Sequence, residues 1–148
     1  MATSKFSKSF TVRFNETDLS GLVHHSKYFH WLEETEYAML RSLGEAVVGQ
    51  IDSEGLIRGW PRKELNMKFH LALYHEDQIR VDLKIKGIRA AGLIYEADFY
   101  RITESGEELT TQASYKTTYC VFDTLRKVAP KSLLINESLL KQIEPYKQ

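Results

Sequence analysis

The sequence predicts an α+β fold in which one long apolar helix packs within an antiparallel β-sheet. Two observations lead to this prediction. Apolar residues recur at three- and four-residue spacing from Tyr28 to Leu43, which is the period of a helix. After Pro61, apolar and polar residues alternate in successive runs joined by short turns, which is the period of half-buried strands. The predicted order of elements is therefore β-α-β-β-β-β.

Composition limits both the architecture and the class of function. The chain has 148 residues, of which 43% are hydrophobic, so we expect a single domain over residues 1–148 with a sizeable core. Lys plus Arg and Asp plus Glu both number 20, so the general positive charge of a nucleic-acid-binding protein is absent. One cysteine, Cys120, fits a reducing compartment, and the segment 1–8 lacks the apolar run of a signal peptide. We therefore expect a cytoplasmic protein without membrane insertion.

The first half of the chain predicts a strand, a loop and a helix. Alternation from Phe10 to Phe14 predicts the strand, and the turn-forming residues that follow predict a loop ending at Gly21, where a positive φ is accessible. Ser26 is a good N-cap, so we expect the helix to begin there and to end near Leu43.

The second half predicts a sheet with one buried face. Four alternating runs, at 65–73, 79–85, 93–99 and 109–121, predict an antiparallel meander. The segment 136–143 predicts a short closing helix. The long helix is too apolar to be covered by a small sheet with two exposed edges, so we expect dimerisation that extends the sheet.

The loop before the long helix carries residues suited to chemistry on a carbonyl group. Asp18 and His25 lie close to the helix N-terminus, where backbone amides are unpaired donors that polarise a carbonyl oxygen. Asp18 is then able to activate water or to attack directly. The alternative is structural, since loop aspartates often accept hydrogen bonds from their own turn.

The segment from Thr17 to Tyr28 resembles the hotdog-fold acyl-CoA thioesterases. It holds Asp18, Gly21 after two intervening residues, an aliphatic pair and then His25. The resemblance extends over essentially the whole chain and is greatest to the branch of 4-hydroxybenzoyl-CoA thioesterase and the Tol–Pal-associated, YbgC-like enzymes. It implies a hotdog fold, an antiparallel sheet wrapped around a long central helix.

The resemblance also implies a reaction and roles for individual residues. An acyl-CoA thioester is hydrolysed to a free acid and coenzyme A, with Asp18 as nucleophile or general base and His25 beside it. A backbone amide near His25 binds the thioester oxygen. Relatives form this site at a dimer interface, so a homodimer or homotetramer is expected, and the only coenzyme involved is the coenzyme A of the substrate.

Further residues are candidates for substrate binding. Gly21, Val23, His24 and Tyr28 lie in or beside the motif, and Arg89 lies where relatives place basic residues against coenzyme A phosphates. For Tyr28 the structural alternative is a core position, and for Arg89 it is ordinary surface charge. His24 stands where relatives often have an aromatic residue, which predicts a more polar acyl pocket.

Several alternatives stay open at this stage. The adjacent histidines match no metal-ligand spacing, so no metal is expected. One of Glu33, Glu34 and Glu36 is an alternative acid, because other hotdog enzymes use a helix acid. The substrate is a coenzyme A thioester or an acyl chain on a carrier protein, and non-hydrolytic binding of acyl thioesters is a third hypothesis. The loop 72–77 lacks the Pro and Gly of many relatives, and the acyl group is not predicted.

Overall fold

The computed structural model describes residues 4–46 and 49–148, and it has an antiparallel five-stranded sheet against which one helix packs. The start of the N-terminal segment, in which no signal peptide is predicted, lies outside these residues. In chain order the elements are β1 (Phe6–Thr11), α1 (His25–Ser42), β2 (Leu56–Gly59), β3 (Arg62–Phe69), β4 (Gln78–Arg89), β5 (Gly92–Thr103), β6 (Gly106–Thr118), β7 (Cys120–Asp123), β8 (Lys131–Ser132) and α2 (Glu137–Ile143). The α+β class is confirmed.

The order of strands in the main sheet is β1-β4-β5-β6-β3. A meander of all four predicted runs is therefore wrong, because only β4, β5 and β6 are sequential neighbours. Strand β1 occupies the edge beside β4, so β3 pairs with β6 and forms the opposite edge. Strand β1 also begins earlier than predicted, at Phe6 rather than at Phe10.

Helix α1 has 18 residues and starts one residue before the predicted N-cap. The N-cap is His24, not Ser26, because the His24 ring accepts a hydrogen bond from the Ser26 amide, 3.2 Å from Nδ1. The helix ends at Ser42, and Gly44 has a φ of +80°, as expected for a glycine that follows a helix. The buried face of the helix comprises Tyr28, Trp31, Leu32, Thr35, Glu36, Met39 and Leu40.

The inner face of the sheet is fully buried at β4 and β5 but not at β3. Every second residue of β4 from Ile79 to Ile85 is at most 1% exposed. On the edge strand, by contrast, Leu65 is 38% and Phe69 is 50% exposed, and Leu71 just beyond it is 44% exposed. These side chains share one face, since Leu65 pairs with Tyr115 and Phe69 with Thr111 on β6. The β3 edge is therefore apolar and uncovered.

A second sheet with the order β2-β7-β8 was not predicted. Its strands are short, and β2 has only four residues, too few for a visible alternation. A turn at Asp52–Gly55 precedes β2, with Asp52 accepting hydrogen bonds from the Glu54 and Leu56 amides. Helix α2 is also confirmed, with Asn136 as its N-cap. Within the described residues, no helix has the length and apolar character needed to cross a membrane.

Candidate functional site

An apolar cleft of about 260 Å³ lies at the N-terminus of α1. Two chain segments form its walls, the start of the helix with the residues just before it and the segment that follows β3. The lining residues are Leu22, Val23, His25, Tyr28, Phe69, His70, Leu71, Ala72 and Leu73. Main-chain hydrogen bonding joins the two walls, because the Val23 amide donates to the Leu73 carbonyl at 2.9 Å.

Asp18 lies on the solvent-exposed turn that precedes this wall. Its Oδ1 accepts hydrogen bonds from the Ser20 amide, at 2.8 Å, and from the Ser20 hydroxyl. These bonds hold the pKa of Asp18 below its ordinary value, so the carboxylate is ionised at neutral pH. Gly21 closes the turn with a φ of +82°, as predicted. Asp18 and Gly21 do not themselves line the cleft, although the Asp18 amide donates to the carbonyl of Leu22, which does.

His25 is the first residue of α1 and lies on the wall of the cleft. Among the described residues, no acceptor is found for its backbone amide, whereas the next amide is capped by His24. An unpaired amide at a helix N-terminus carries partial positive charge and is a donor for an oxyanion. His24 caps the helix from outside the cleft, and its ring lies 4.3 Å from that of His25. Across the described part of the chain, no three potential ligands cluster to hold a metal.

Val23 and Tyr28 form the floor of the cleft. Val23 is 7% and Tyr28 is 3% exposed. The Tyr28 ring contacts those of Trp31, Phe69 and Phe99 at centroid distances of 5.4, 5.0 and 5.9 Å. Burial raises the pKa of the Tyr28 hydroxyl, so this side chain is neutral. Tyr28 therefore belongs both to the core and to the cleft.

Arg89 is not brought to the cleft within one chain. It ends β4 opposite Gly92 and, with Lys63 and Lys116, lines a separate cavity of about 460 Å³. Strand β4 begins at Gln78, near the cleft, and 11 residues at about 3.3 Å each put Arg89 about 35 Å further along the sheet.

The segment from Phe69 to Leu73 forms much of the cleft but was not singled out from the sequence. Its alternation marked it as ordinary strand, yet β3 ends at Phe69, and the residues beyond it turn towards α1. A signal was present in the sequence, since Phe69 and Leu71 continue an apolar series past the end of the strand.

Of the helix acids, Glu36 points inward rather than towards the cleft. It is 0% exposed and pairs with Arg62 of β3, with 2.6 Å between Oε2 and the guanidinium. Burial raises the pKa of Glu36 to about 7, although Arg62 opposes this shift. The other carboxylate oxygen, Oε1, is buried and lacks a partner among the described residues, as do the hydroxyls of Tyr95 and Tyr115.

The geometry thus combines an ionised carboxylate on a loop with a free helix amide in the wall of an apolar cleft. A carbonyl oxygen bound at the His25 amide would be polarised, and the loop with Asp18 directly precedes that amide in the chain. Such an arrangement is suited to acyl transfer or hydrolysis.

Comparison with known proteins gives relatives at low identity. No protein-family model matches the chain. A 1,4-dihydroxy-2-naphthoyl-CoA hydrolase of Prochlorococcus marinus is 27% identical over 104 residues, 67% of this chain and 65% of the relative. The acyl-CoA thioesterase YbgC of Haemophilus influenzae is 24% identical over 103 residues, 70% of this chain and 74% of the relative. The chain thus spans just under two thirds of the first relative.

Solved structures agree over almost the full chain. The 4-hydroxybenzoyl-CoA thioesterase of Pseudomonas sp. strain CBS-3 superposes with a TM-score of 0.79 at 17% identity, covering 93% of this chain and 98% of that protein. At this identity the likeness shows the fold alone. The predicted resemblance to the YbgC-like and 4-hydroxybenzoyl-CoA thioesterases is confirmed, and the α+β fold matches theirs. A sheet wrapped around a long central helix is not shown, since α1 has only 18 residues and packs against the sheet of a single chain.

Proposed function

We propose that this hotdog-fold chain is an acyl-CoA thioesterase that hydrolyses a coenzyme A thioester to a carboxylic acid and free coenzyme A. The observation that carries the proposal is the unpaired His25 amide in the wall of an apolar cleft, directly after the loop of Asp18. The thioesterase names of the relatives support the same class of reaction.

In this proposal the thioester carbonyl oxygen binds at the His25 amide, and the acyl group occupies the cleft against Tyr28. Asp18 attacks the carbonyl carbon or takes a proton from an attacking water, and the side chain of His25 orients the reacting groups. Both bonds from Ser20 end on Oδ1 and keep Asp18 ionised, so Oδ2 is the oxygen that meets the substrate or the water in this proposal. Without the amide donor, a loss of ~10²–10³ in rate is expected.

The catalytic form in this proposal is a homodimer, or a homotetramer built from such dimers. The support is the uncovered apolar face of Leu65 and Phe69 on the unpaired β3 edge. Pairing two β3 strands around a two-fold axis would make one continuous sheet and place two copies of α1 on the same face. The sheet then wraps around a central pair of helices, which a single chain does not achieve.

The remaining parts of the proposal concern substrate and setting. Arg89 and the nearby lysines bind the phosphates of coenzyme A, and Gly21 and His24 shape the mouth of the site. No cofactor is required apart from the coenzyme A of the substrate. The chain acts in the cytoplasm, as a single cysteine that is buried fits a reducing compartment.

The first prediction is that Asp18→Asn folds normally but loses at least ~10²-fold in kcat, because the amide is neither a nucleophile nor a base. Turnover is measured by release of free thiol from a panel of aromatic, short and long acyl-CoAs. The matched control is Asp52→Asn, a half-buried turn aspartate that lines neither the cleft nor the Asp18 loop, which should keep the parental rate. Parental turnover by Asp18→Asn would overturn the role of Asp18.

Two additional measurements refine this assignment. In a single turnover in oxygen-18 water, label in Asp18 would indicate direct attack, in which coenzyme A leaves, an anhydride forms and water then attacks the Asp18 carbonyl carbon. The same acyl group is also presented on coenzyme A and on a carrier protein. Clearly faster hydrolysis of the carrier-protein thioester would identify it, rather than the coenzyme A thioester, as the substrate.

A further inference from the structure

A third cavity, of about 360 Å³, lies at the other end of β3 from the cleft. Its wall is mostly apolar and aromatic, and it is lined by Tyr37, Gly49, Ile57, Arg58, Gly59, Trp60, Pro61, Arg62 and Phe122. Volumes from about 300 Å³ upward are typical of sites for small molecules. Nothing in the proposed hydrolysis uses this cavity.

Arg62 connects the cavity to a buried acid. It is 25% exposed on the cavity side and pairs with Glu36, which is 0% exposed, through a single guanidinium nitrogen. Among the described residues, the other guanidinium N–H groups of Arg62 have no acceptor, although the guanidinium lies 5.3 Å from the ring centroid of Tyr115. A guanidinium has five donors and suits bidentate binding of a carboxylate.

Glu36 is incompletely satisfied in this environment. Among the described residues, its Oε1 is buried without a hydrogen bond of good geometry, although the Tyr115 hydroxyl lies close enough to oppose the rise in the pKa of Glu36. A buried carboxylate with one free oxygen is costly when ionised, and accepting a proton removes that cost. Arg62 would then be left with a positive charge that a second anion is able to neutralise.

We propose that this cavity binds a small carboxylate with an apolar body, whose carboxyl group pairs with Arg62 while Glu36 takes up a proton. The apolar body lies against Trp60 and Phe122. The exchange is electroneutral, since one anion enters and one proton neutralises Glu36. Within one chain the site is separate from the cleft at His25, whereas in the proposed dimer the Arg62 end of β3 lies beside the cleft of the other copy. That the acid released by hydrolysis is such a ligand rests on the proposed function.

The coupling between carboxylate binding and proton uptake by Glu36 depends on all the charged or titratable groups that face Glu36. These are Arg62 from β3, Tyr95 from β5, Tyr115 from β6, and Glu33 and Tyr37 from α1 itself. Burial raises the pKa of each of these tyrosines, so they stay neutral, whereas burial raises the pKa of Glu36 to about 7. Carboxylate affinity should therefore be constant below about pH 7 and should fall tenfold for each pH unit above it.

The experiment is calorimetric titration of the full chain with sodium octanoate, with octanamide as the uncharged control. At pH 8, in two buffers of different ionisation enthalpy, the expected result is uptake of about one proton per octanoate bound. Glu36→Gln should bind octanoate about tenfold more tightly than the parent at pH 8, without proton uptake or pH dependence. The proposal would be overturned if no octanoate bound at concentrations up to about 10 mM, or if octanoate bound without proton uptake.

Matched variants locate the site. Arg62→Gln together with Glu36→Gln, which leaves no unpaired buried charge, should lose octanoate binding. Arg58→Gln removes a charge from the same cavity but not from the buried pair, and it should change affinity less than twofold. Asp18→Asn should bind octanoate as the parent does. Retained binding in the double variant together with altered affinity in Asp18→Asn would place octanoate in the cleft and overturn the assignment, whether or not the chain hydrolyses thioesters.

Discussion

Glu36 links the stability of the fold to pH through a single side chain. Burial raises its pKa from 4.5 to about 7, so between these values the folded chain holds a proton that the unfolded chain releases. The stabilisation is therefore fully present below about pH 4.5 and is lost as pH rises through 7. A mid-helix glutamate next to other acids would ordinarily be solvated, and its position opposite Arg62 reverses that expectation.

The second prediction is that Glu36→Gln abolishes this dependence. In the parent, the contribution of Glu36 to the free energy of unfolding should fall by on the order of 3 kcal/mol between pH 4.5 and pH 7. Glutamine does not titrate, so the variant should lack that slope. Urea unfolding at several pH values measures both, and Glu34→Gln, an exposed glutamate of the same helix, is the control. Parallel profiles for parent and Glu36→Gln would contradict the prediction.

The start of α1 shows how a histidine replaces the usual capping residue. The third prediction is that His24→Ala lowers the free energy of unfolding by about 1 kcal/mol, because the Ser26 amide loses its acceptor. His24→Asn should retain most of the stability, since asparagine is a good N-cap. Urea unfolding of the two variants gives the comparison. If both variants lost the same free energy of unfolding, the contact between the His24 and His25 rings, and not the N-cap, would be what stabilises the fold.

Strand β3 is the element on which assembly depends in the proposed dimer. The fourth prediction is that Leu65→Glu yields monomers and lowers turnover at least tenfold, because a charge on the apolar edge cannot be buried against a second copy. Sedimentation velocity measures the oligomeric state. Leu134→Glu, at a leucine that is 76% exposed in the segment between β8 and α2, is the control and should change neither property. A dimeric Leu65→Glu would place the interface elsewhere.

Local periodicity predicted the elements well and their neighbours poorly. The alternation in β4 and β5 fixed which side chains face inward, and Gly21 and Asn136 took the predicted roles in a turn and at a helix start. Strand order is a long-range property, since β1 and β3 compete for the place beside β4 and no local pattern decides between them. Strand β2 and the pairing of Glu36 with Arg62 depend on such distant contacts as well, so they were not found from the sequence.

In the candidate site too, local features were predicted from the sequence and long-range contacts were not. The motif from Asp18 to Tyr28 is continuous in sequence, and the structure keeps Val23, His25 and Tyr28 together in one cleft. Arg89 is remote in a single chain, and Asp18 faces solvent on its turn. Their predicted roles stay predictions, because they require a substrate and, for Arg89, a second copy of the chain.

On the scale of the whole molecule, antiparallel pairing of two β3 strands would bring distant ends together. The Phe69 end of one strand, with the cleft, would lie beside the Arg62 end of the other. Arg89 and Lys63 line one cavity at that second end. In the proposed dimer, Arg89 of one copy would therefore serve the cleft of the other.

The fifth prediction tests this arrangement by complementation. Arg89→Ala alone should raise KM for acyl-CoA about tenfold with little change for the acyl-pantetheine analogue, which lacks the nucleotide phosphates. A purified heterodimer of Arg89→Ala and Asp18→Asn chains should regain the parental KM, because its one intact Asp18 is served by the intact Arg89 of the other chain. If the heterodimer keeps the raised KM, Arg89 acts within its own chain.

The main-chain hydrogen bond between Val23 and Leu73 has a consequence for how molecules reach the cleft. A second bond, from the Val12 amide to the Asp77 carbonyl, anchors the same wall to the strand leading into the Asp18 loop. These hydrogen bonds join the two walls along one side, so one wall cannot swing away from the other as a lid. The remaining flank, at Phe69 and Leu71, is exposed in the single chain and meets the second copy in the proposed dimer, so substrate would enter between the two copies.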